Sequence, residues 1–274
     1  MYFFEQNFFF CILLQLILNN DLIAASFEKC ENESSESKIV PTLNGKVMGE
    51  CHNVPVSYSN NSTINYKVFS WLSIPYAEPP TNQRRFMKPV PGQNWNDTRD
   101  ATVWPKSCIQ SSYIQAPDLF SEDCLYLNVF VRKDSFLEKN STKIPIMIYI
   151  HGGGFMVGGS SMDLLDPSTL VSMSNIIVVT INYRLNAFGF MHFSDSEITG
   201  NQGLLDQSMA FKWVYENVEE FGGDKSKITI TGESAGAWSV GLHLFYPNSW
   251  PYFRNGIMQS GGPTGSSNLS ITLF

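Results

Sequence analysis

Three short apolar runs, at residues 144–150, 176–183 and 228–231, constrain the fold of this chain more than any other feature. Each run is rich in β-branched residues and is only four to eight residues long. Continuous runs of this kind are typical of strands that are buried on both faces of a sheet. The sequence therefore predicts a central sheet whose two faces are both covered by helices.

Helical patterns lie between and after these runs. Leu205, Met209 and Trp213 recur at intervals of four residues, which predicts one face of a helix over residues 204–218. A second helix of about three turns follows residue 236, and residues 256–260 predict the next strand. Strands that alternate with helices form βαβ units. We therefore expect an α/β fold with a mostly parallel central sheet and helices on both faces.

The first 120 residues are less regular. Residues 27–65 are rich in Ser, Asn and Glu, which predicts a loose start followed by short edge strands near residues 45–48. Residues 74–120 contain seven prolines and little periodicity, which indicates a mostly ordered loop.

Ser234 lies in a G-x-S-x-G pattern, Gly232-Glu233-Ser234-Ala235-Gly236, between the third apolar run and the second helix. In this context the serine sits at a tight strand-to-helix turn, which lifts its hydroxyl above the sheet and needs small residues on either side. A serine becomes an effective nucleophile when a base removes its proton and donors stabilise the oxyanion. We predict Ser234 as a catalytic nucleophile, since a plain Gly/Ser turn does not require this context.

Glycines also follow the first apolar run, in His151-Gly152-Gly153-Gly154. Backbone amides of Gly153 and Gly154, with that of Ala235, are candidates for an oxyanion hole because glycine lets the backbone approach a substrate oxygen closely. Alone, a glycine triplet also fits a flexible turn or a phosphate-binding loop. The phosphate interpretation is disfavoured because no Lys-Ser/Thr pair follows.

The charge of the chain excludes one class of partner. Its 18 basic and 25 acidic residues give a net charge of -7, and they form no basic block, so the sequence does not support nucleic-acid binding. The sequence defines no oligomeric state.

Residues 1–25 are interpreted as a signal peptide. Residues 8–18 are an apolar run followed by the small residues Ala24, Ala25 and Ser26. Glu5 and the lack of Lys or Arg before the run are atypical, and an uncleaved anchor or a buried segment is the alternative. The run is shorter than the roughly 20 apolar residues that a membrane span needs, so no membrane span is predicted.

Other features agree with a secreted, extracellular protein. Without the leader four cysteines remain, an even number that suits an oxidising compartment: Cys30, Cys51, Cys108 and Cys124. Six acceptor triplets for N-glycosylation predict a glycoprotein, and they begin at Asn32, Asn60, Asn61, Asn96, Asn140 and Asn268.

Several motifs together resemble the type-B carboxylesterase and cholinesterase family, which has the α/β-hydrolase fold. They are residues 73–80, 122–129, 182–184, 188–190, 200–207 and 221–236. The resemblance implies a disulfide between Cys108 and Cys124, a buried ion pair between Arg85 and Glu122, and a place for Glu233 beside the nucleophile in the substrate site. It leaves Cys30 and Cys51 unplaced; they can pair with each other, because closing a loop of about 20 residues is thermodynamically reasonable.

The chain also departs from the cholinesterase pattern. No tryptophan lies between Cys108 and Cys124, where cholinesterases carry the one that stacks on the choline cation. Another tryptophan of the family, shortly after Gln259-Ser260-Gly261, is absent as well. We therefore predict a general carboxylic ester hydrolase with a small-molecule ester as its substrate, and no cofactor or metal.

The triad acid and histidine are not identified in this sequence. In α/β-hydrolases both follow the serine, whereas the 40 residues after Ser234 contain one histidine, His243, and no Asp or Glu. His243 lies about 13 Å along its own helix from Ser234, so we predict a structural role for it.

We interpret residues 26–274 as the N-terminal part of a carboxylesterase domain that is inactive alone, because its sheet would end at an exposed apolar edge. The alternative is a non-catalytic adhesion or ligand-binding relative.

Overall fold

The computed structural model describes residues 29–30, 37–59, 62–111, 119–138 and 143–263. The predicted signal peptide and all acceptor triplets except that of Asn96 therefore begin outside the described residues. Within these ranges the strands are β1 (Lys38–Pro41), β2 (Lys46–Ser57), β3 (Thr63–Pro75), β4 (Arg99–Asp100), β5 (Ser107–Cys108), β6 (Phe120–Ser121), β7 (Tyr126–Arg132), β8 (Ile144–Ile150), β9 (Ile177–Ile181), β10 (Gly223–Glu233) and β11 (Asn255–Gln259).

The helices connect these strands. The α-helices in the described ranges are α1 (Lys133–Leu137), α2 (Ser168–Met173), α3 (Asn186–Phe190), α4 (Gln202–Asn217) and α5 (Ala235–Leu244). Short 3-10 helices lie at Asn82–Arg84, Asp163–Leu165, Val218–Phe221 and Pro247–Tyr252. No helix in this part of the chain has the length and apolar character that crossing a bilayer requires.

One large sheet organises the molecule, with the strand order β1-β2-β3-β7-β9-β8-β10-β11 and β4 beside β2. The neighbours from β1 to β9 pair antiparallel. The neighbours from β9 to β11 pair parallel. The predicted α/β fold is confirmed, and its parallel half contains the three apolar runs from which the parallel arrangement was predicted.

Hydrophobic side chains pack on both faces of this sheet. In β9, Ile177, Val179 and Ile181 join a large cluster that includes helices α4 and α5. Val178 points the other way, into a smaller cluster with Val171 of α2. Every residue of β9 is buried, as the continuous apolar run predicted. Helices therefore cover both faces, as expected.

Two local predictions need correction. The expected short edge strands are the 12-residue β2 and the 13-residue β3, which form a long hairpin. On helix α4 the buried face includes Leu204, Phe211 and Val214, while the predicted Leu205 and Met209 are only partly buried. Polar residues of α4, Asp206 and Gln207 among them, are fully buried beside these apolar ones. The buried face is therefore not a continuous apolar stripe that the sequence pattern could reveal.

Candidate active site

Ser234 occupies the predicted strand-turn-helix junction. Strand β10 ends at Glu233 and helix α5 begins at Ala235, so the context required by the motif is confirmed. Ser234 has φ 54° and ψ -118°, a conformation that an L-residue rarely adopts and that costs about 1 to 3 kcal/mol. The Ser234 amide donates to the Gln259 carbonyl of β11 at 2.9 Å, and the Ser234 carbonyl accepts from the Trp238 amide at 3.0 Å.

Glycines make this turn possible for steric reasons. We call residues 232–236 the serine turn. A Cβ on Gly232 would lie 2.4 Å from the carbonyl carbon of Gly236, and one on Gly236 would lie 2.1 Å from the Ile150 carbonyl oxygen. Both obstacles are backbone atoms, so a side chain at either position forces the backbone apart. This close approach explains why the turn needs small residues on either side of Ser234, as the sequence predicted.

The side chain of Ser234 is accessible. The residue is half-buried. Its Oγ neither donates a hydrogen bond to nor accepts one from any residue in the described ranges. A hydroxyl that reaches solvent and is not committed to the fold can approach a bound substrate.

The glycine loop, residues 151–160, leaves the end of β8 and lies against the serine turn. A Cβ on Gly152 would lie 2.7 Å from Glu233 Oε2 and 3.3 Å from Ser234 Cβ. Gly153 and Gly154 have φ values of 106° and 64°, where glycine is strongly favoured. No described group accepts a hydrogen bond from the Gly153 or Gly154 amide, and a Cβ on Gly154 would meet open space.

The third predicted donor, the amide of Ala235, is at the start of helix α5. The first amides of a helix have no partner within it, and they lie at the positive end of its dipole. Ala235 itself is fully buried. The structure thus brings Gly152 against Ser234 and leaves the amides of Gly153, Gly154 and Ala235 free of partners inside the described chain.

Side chains from distant elements hold the glycine loop in place. Tyr183 donates its hydroxyl to the His151 carbonyl at 2.9 Å, and Asn186 donates its amide to the Met156 carbonyl at 2.8 Å. Near the end of the loop, the Ser160 amide donates to Asn182 Oδ1 at 2.8 Å, and Gln110 binds the backbone of Gly158. Sequence reasoning missed these roles, because nothing in a sequence marks which amide side chain will meet a given loop.

Glu233 lines the site beside the glycine loop, as the Gly152 geometry shows. Its side chain is only partly shielded, and desolvation by that burial raises the pKa of its carboxyl above the usual value. The pKa of Tyr149 on β8 is also raised, mainly because burial desolvates its hydroxyl and secondly because the Glu233 carboxylate lies nearby. Glu233 therefore places a titratable carboxyl group within the serine turn, against the glycine loop.

Two of the four histidines are buried and committed to the fold. His243 has Nδ1 2.9 Å from Ser249 Oγ and Nε2 2.9 Å from Gln207 Oε1, and desolvation lowers its pKa to about 3. His151 stacks on Tyr183 at a centroid distance of 4.4 Å, and desolvation lowers its pKa to about 4. Both rings are neutral near pH 7, and the structural role predicted for His243 agrees with these contacts.

The other two histidines interact with residues other than Ser234. His52 is on β2 with Nε2 2.9 Å from Ser70 Oγ, and His192 bridges to Thr199. In the described part of the chain, no histidine pairs with Ser234. Nor do its His, Cys, Asp and Glu residues form a group of three or more suited to a metal ion.

The two predicted cysteine pairings are both present, Cys108 with Cys124 and Cys30 with Cys51. The first bond fixes the start of the segment that carries Gln110.

The predicted ion pair between Arg85 and Glu122 is present as two hydrogen bonds of 2.7 Å. It is not buried as expected: the side chains are 41% and 25% exposed, because Arg85 follows a surface 3-10 turn. Arg184 and Asp206 form a buried pair, with side chains 3% and 0% exposed, and it ties the segment after β9 to helix α4.

An accessible serine on a strained strand-to-helix turn, next to a glycine loop with free amides, places the chain among the α/β-hydrolases. The model of the carboxylesterase family matches residues 36–270, and the chain belongs to that family.

Relatives and solved structures agree with this assignment. Acetylcholinesterase 1 from Caenorhabditis briggsae is 45% identical over 205 residues, which are 71% of this chain and 33% of that protein. Para-nitrobenzyl esterase from Bacillus subtilis (strain 168) is 42% identical over 232 residues, 82% of this chain and 44% of that protein. A solved structure of PNB esterase matches with a TM-score of 0.70 at 42% identity, covering 82% of this chain and 44% of the other. The chain thus spans a third to under a half of the length of these relatives.

Proposed function

We propose that the protein hydrolyses carboxylic esters through an acyl-enzyme on Ser234. The observation that carries this proposal is the pairing of an uncommitted serine hydroxyl with the glycine loop, at a contact where Gly152 lies against the Ser234 side chain. The names of the similar proteins, esterases and cholinesterases, support the same chemistry.

The reaction proceeds in two stages. Ser234 Oγ attacks the ester carbonyl carbon while a histidine base accepts its proton, and the amides of Gly153, Gly154 and Ala235 stabilise the oxyanion. The carbon–oxygen bond to the alcohol then breaks, and the alcohol leaves with that proton. Water attacks the acyl-enzyme with the help of the same base and releases the carboxylic acid and free Ser234. The described residues do not supply the base, which α/β-hydrolases place after the serine.

The substrate in this proposal is a small ester without a quaternary ammonium group. Two tryptophan positions of the cholinesterase pattern lack tryptophan here: the segment between Cys108 and Cys124, and the residues after Gln259. Without an aromatic platform a choline cation loses a cation–π contribution of about 0.5 to 2 kcal/mol. Comparing p-nitrophenyl butyrate with butyrylthiocholine tests this point, and a higher kcat/KM for the thiocholine ester would contradict it.

A fluorophosphonate probe tests the role of Ser234 in the full-length protein. We expect wild type and Ser226→Ala, a variant of an exposed serine on strand β10, to react covalently, and Ser234→Ala not to react. Ester hydrolysis by wild type should show a burst of p-nitrophenol and fall by a factor of about 10⁴ to 10⁶ in Ser234→Ala. A folded wild type that neither reacts nor hydrolyses esters would favour a binding protein instead.

We also propose that the protein is a secreted glycoprotein. Its two disulfides and the predicted leader support export, and Asn96 presents its acceptor triplet on the surface. Enzymatic removal of N-glycans should shift the mobility of the secreted protein. Asn96→Gln should lose one glycan and Asn94→Gln none; equal mobility of these two variants would contradict glycosylation at Asn96.

A further inference from the structure

The side chain of Gln110 binds both backbone groups of one residue in the glycine loop. Its Nε2 donates to the Gly158 carbonyl at 2.7 Å, and its Oε1 accepts from the Gly158 amide at 2.8 Å. Nε2 also donates to the Cys108 carbonyl at 3.1 Å, which aligns the side chain beside the disulfide. A single amide thus replaces the pairing that a neighbouring strand would give.

Gly158 packs against the part of the loop that lies next to Ser234. It has φ 114°, and a Cβ there would lie 2.5 Å from His151 Nδ1 and 2.7 Å from the Gly152 carbonyl oxygen. The backbone of Gly158 is therefore in direct contact with His151 and Gly152. Gly152 in turn lies against the side chains of Glu233 and Ser234.

The ends of the loop have their own attachments. Tyr183 holds the carbonyl of His151, and Asn182 holds the amide of Ser160. Between these two points, Asn186 holds the carbonyls of Phe155 and Met156, and Gln110 holds both backbone groups of Gly158. Loss of the Gln110 hydrogen bonds should therefore loosen Gly158 and its packing against His151 and Gly152, while the other attachments stay in place.

We propose that Gln110 is a positioning residue that sets the Gly153 and Gly154 amides for the oxyanion. This inference rests on the proposed function. Gln110 is suited to the task because a primary amide offers a donor and an acceptor at once, whereas a carboxylate only accepts. Oxyanion stabilisation depends on donors held within tenths of an ångström before reaction, so a loosened loop affects the transition state more than the bound ester.

The test uses the full-length protein with Gln110→Glu, Gln110→Met and, as a matched control, Gln83→Glu at an exposed glutamine. We expect kcat to fall by a factor of about 10 to 100 in both Gln110 variants, a part of what losing one oxyanion donor costs, with KM changed less than about threefold. Affinity for a trifluoromethyl ketone, which forms a tetrahedral adduct, should fall by the same factor as kcat/KM. Gln83→Glu should match wild type.

The two variants separate positioning from simple damage to the fold. Gln110→Glu keeps the acceptor and regains a donor when protonated, so its activity relative to wild type should rise from pH 7 to pH 5. Gln110→Met is uncharged and nearly isosteric, and its relative activity should not change over that range. If only one variant folds, its kcat and inhibitor affinity still decide the question.

Two results would overturn the proposal in distinguishable ways. Wild-type activity that is lost in Ser234→Ala but unchanged in the Gln110 variants would refute the role of Gln110 alone. A higher KM with unchanged kcat in the Gln110 variants would also refute it. Activity that survives in Ser234→Ala would refute the proposed function itself.

Discussion

The two halves of the candidate site, the serine turn and the glycine loop, are held in different ways. The serine turn is fixed by close contacts between backbone atoms at Gly232 and Gly236, within five residues of sequence and one neighbouring strand. The glycine loop is fixed by hydrogen bonds with Gln110, Asn182 and other side chains that lie outside the loop in sequence. Steric constraints are local and leave a motif, whereas a supporting side chain can come from anywhere in the chain.

The largest expected effect comes from adding a methyl group to the serine turn. In Gly236→Ala the new Cβ would meet the Ile150 carbonyl oxygen at 2.1 Å, so we expect the free energy of unfolding to fall by about 3 kcal/mol. Gly154→Ala, in the glycine loop, meets no atom within 4 Å, and its positive φ should cost about 1 kcal/mol. Urea denaturation of the full-length variants measures both. Equal losses would show that the two halves do not differ in steric tolerance.

A second expected effect is acid sensitivity on both sides of the site. His243 on α5 and His151 in the glycine loop have pKa values lowered by burial to about 3 and about 4, against 6.5 in the unfolded chain. Between the folded and unfolded pKa the unfolded state binds more protons, so stability falls as pH drops below 6.5. Each histidine should cost up to about 2 kcal/mol between pH 6.5 and pH 5.

Denaturation at these two pH values, in wild type and in His243→Gln, checks this prediction. The variant should lose part of the dependence on pH, and it should be less stable than wild type at pH 7. An unchanged difference between the two pH values would mean that His243 is not the neutral buried group described above.

The difference between the two halves also explains what the sequence could predict. The strands β8, β9 and β10, the turn at Ser234 and helix α5 were predicted because apolar runs and glycine spacing are local signals. The buried face of α4 was misplaced because Asp206 satisfies Arg184 and Gln207 satisfies His243, and such pairings are not visible in a sequence. The supports of the glycine loop were missed for the same reason.

A third expected effect concerns one of those supports. Tyr183→Phe removes the hydroxyl that donates to the buried His151 carbonyl, so the free energy of unfolding should fall by about 1 to 2 kcal/mol. Tyr58→Phe removes a hydroxyl that pairs with Tyr66 near the surface and should have little effect. Thermal unfolding of both variants gives the comparison. Equal shifts would mean that the Tyr183 bond adds nothing beyond a surface contact.

The smallest expected effect is a gain. Glycine accepts the φ of Ser234 without strain, so Ser234→Gly should be about 1 kcal/mol more stable than Ser234→Ala after allowing for the entropy of glycine in the unfolded chain. Both variants lack the hydroxyl and should be inactive. Denaturation curves that rank alanine above glycine would show that the turn stores no strain at this residue.

The groups that secure the glycine loop through their side chains, Gln110, Tyr183, Asn182 and Asn186, are all uncharged. Dissolved ions shorten the range of interactions between exposed charges and hardly affect hydrogen bonds between neutral groups. The attraction between the exposed side chains of Arg85 and Glu122 should therefore weaken at high salt concentration, while the glycine loop keeps its conformation. Secretion, as proposed above, would expose the protein to fluids of varying salt concentration, and uncharged supports would keep the geometry of the candidate site independent of them.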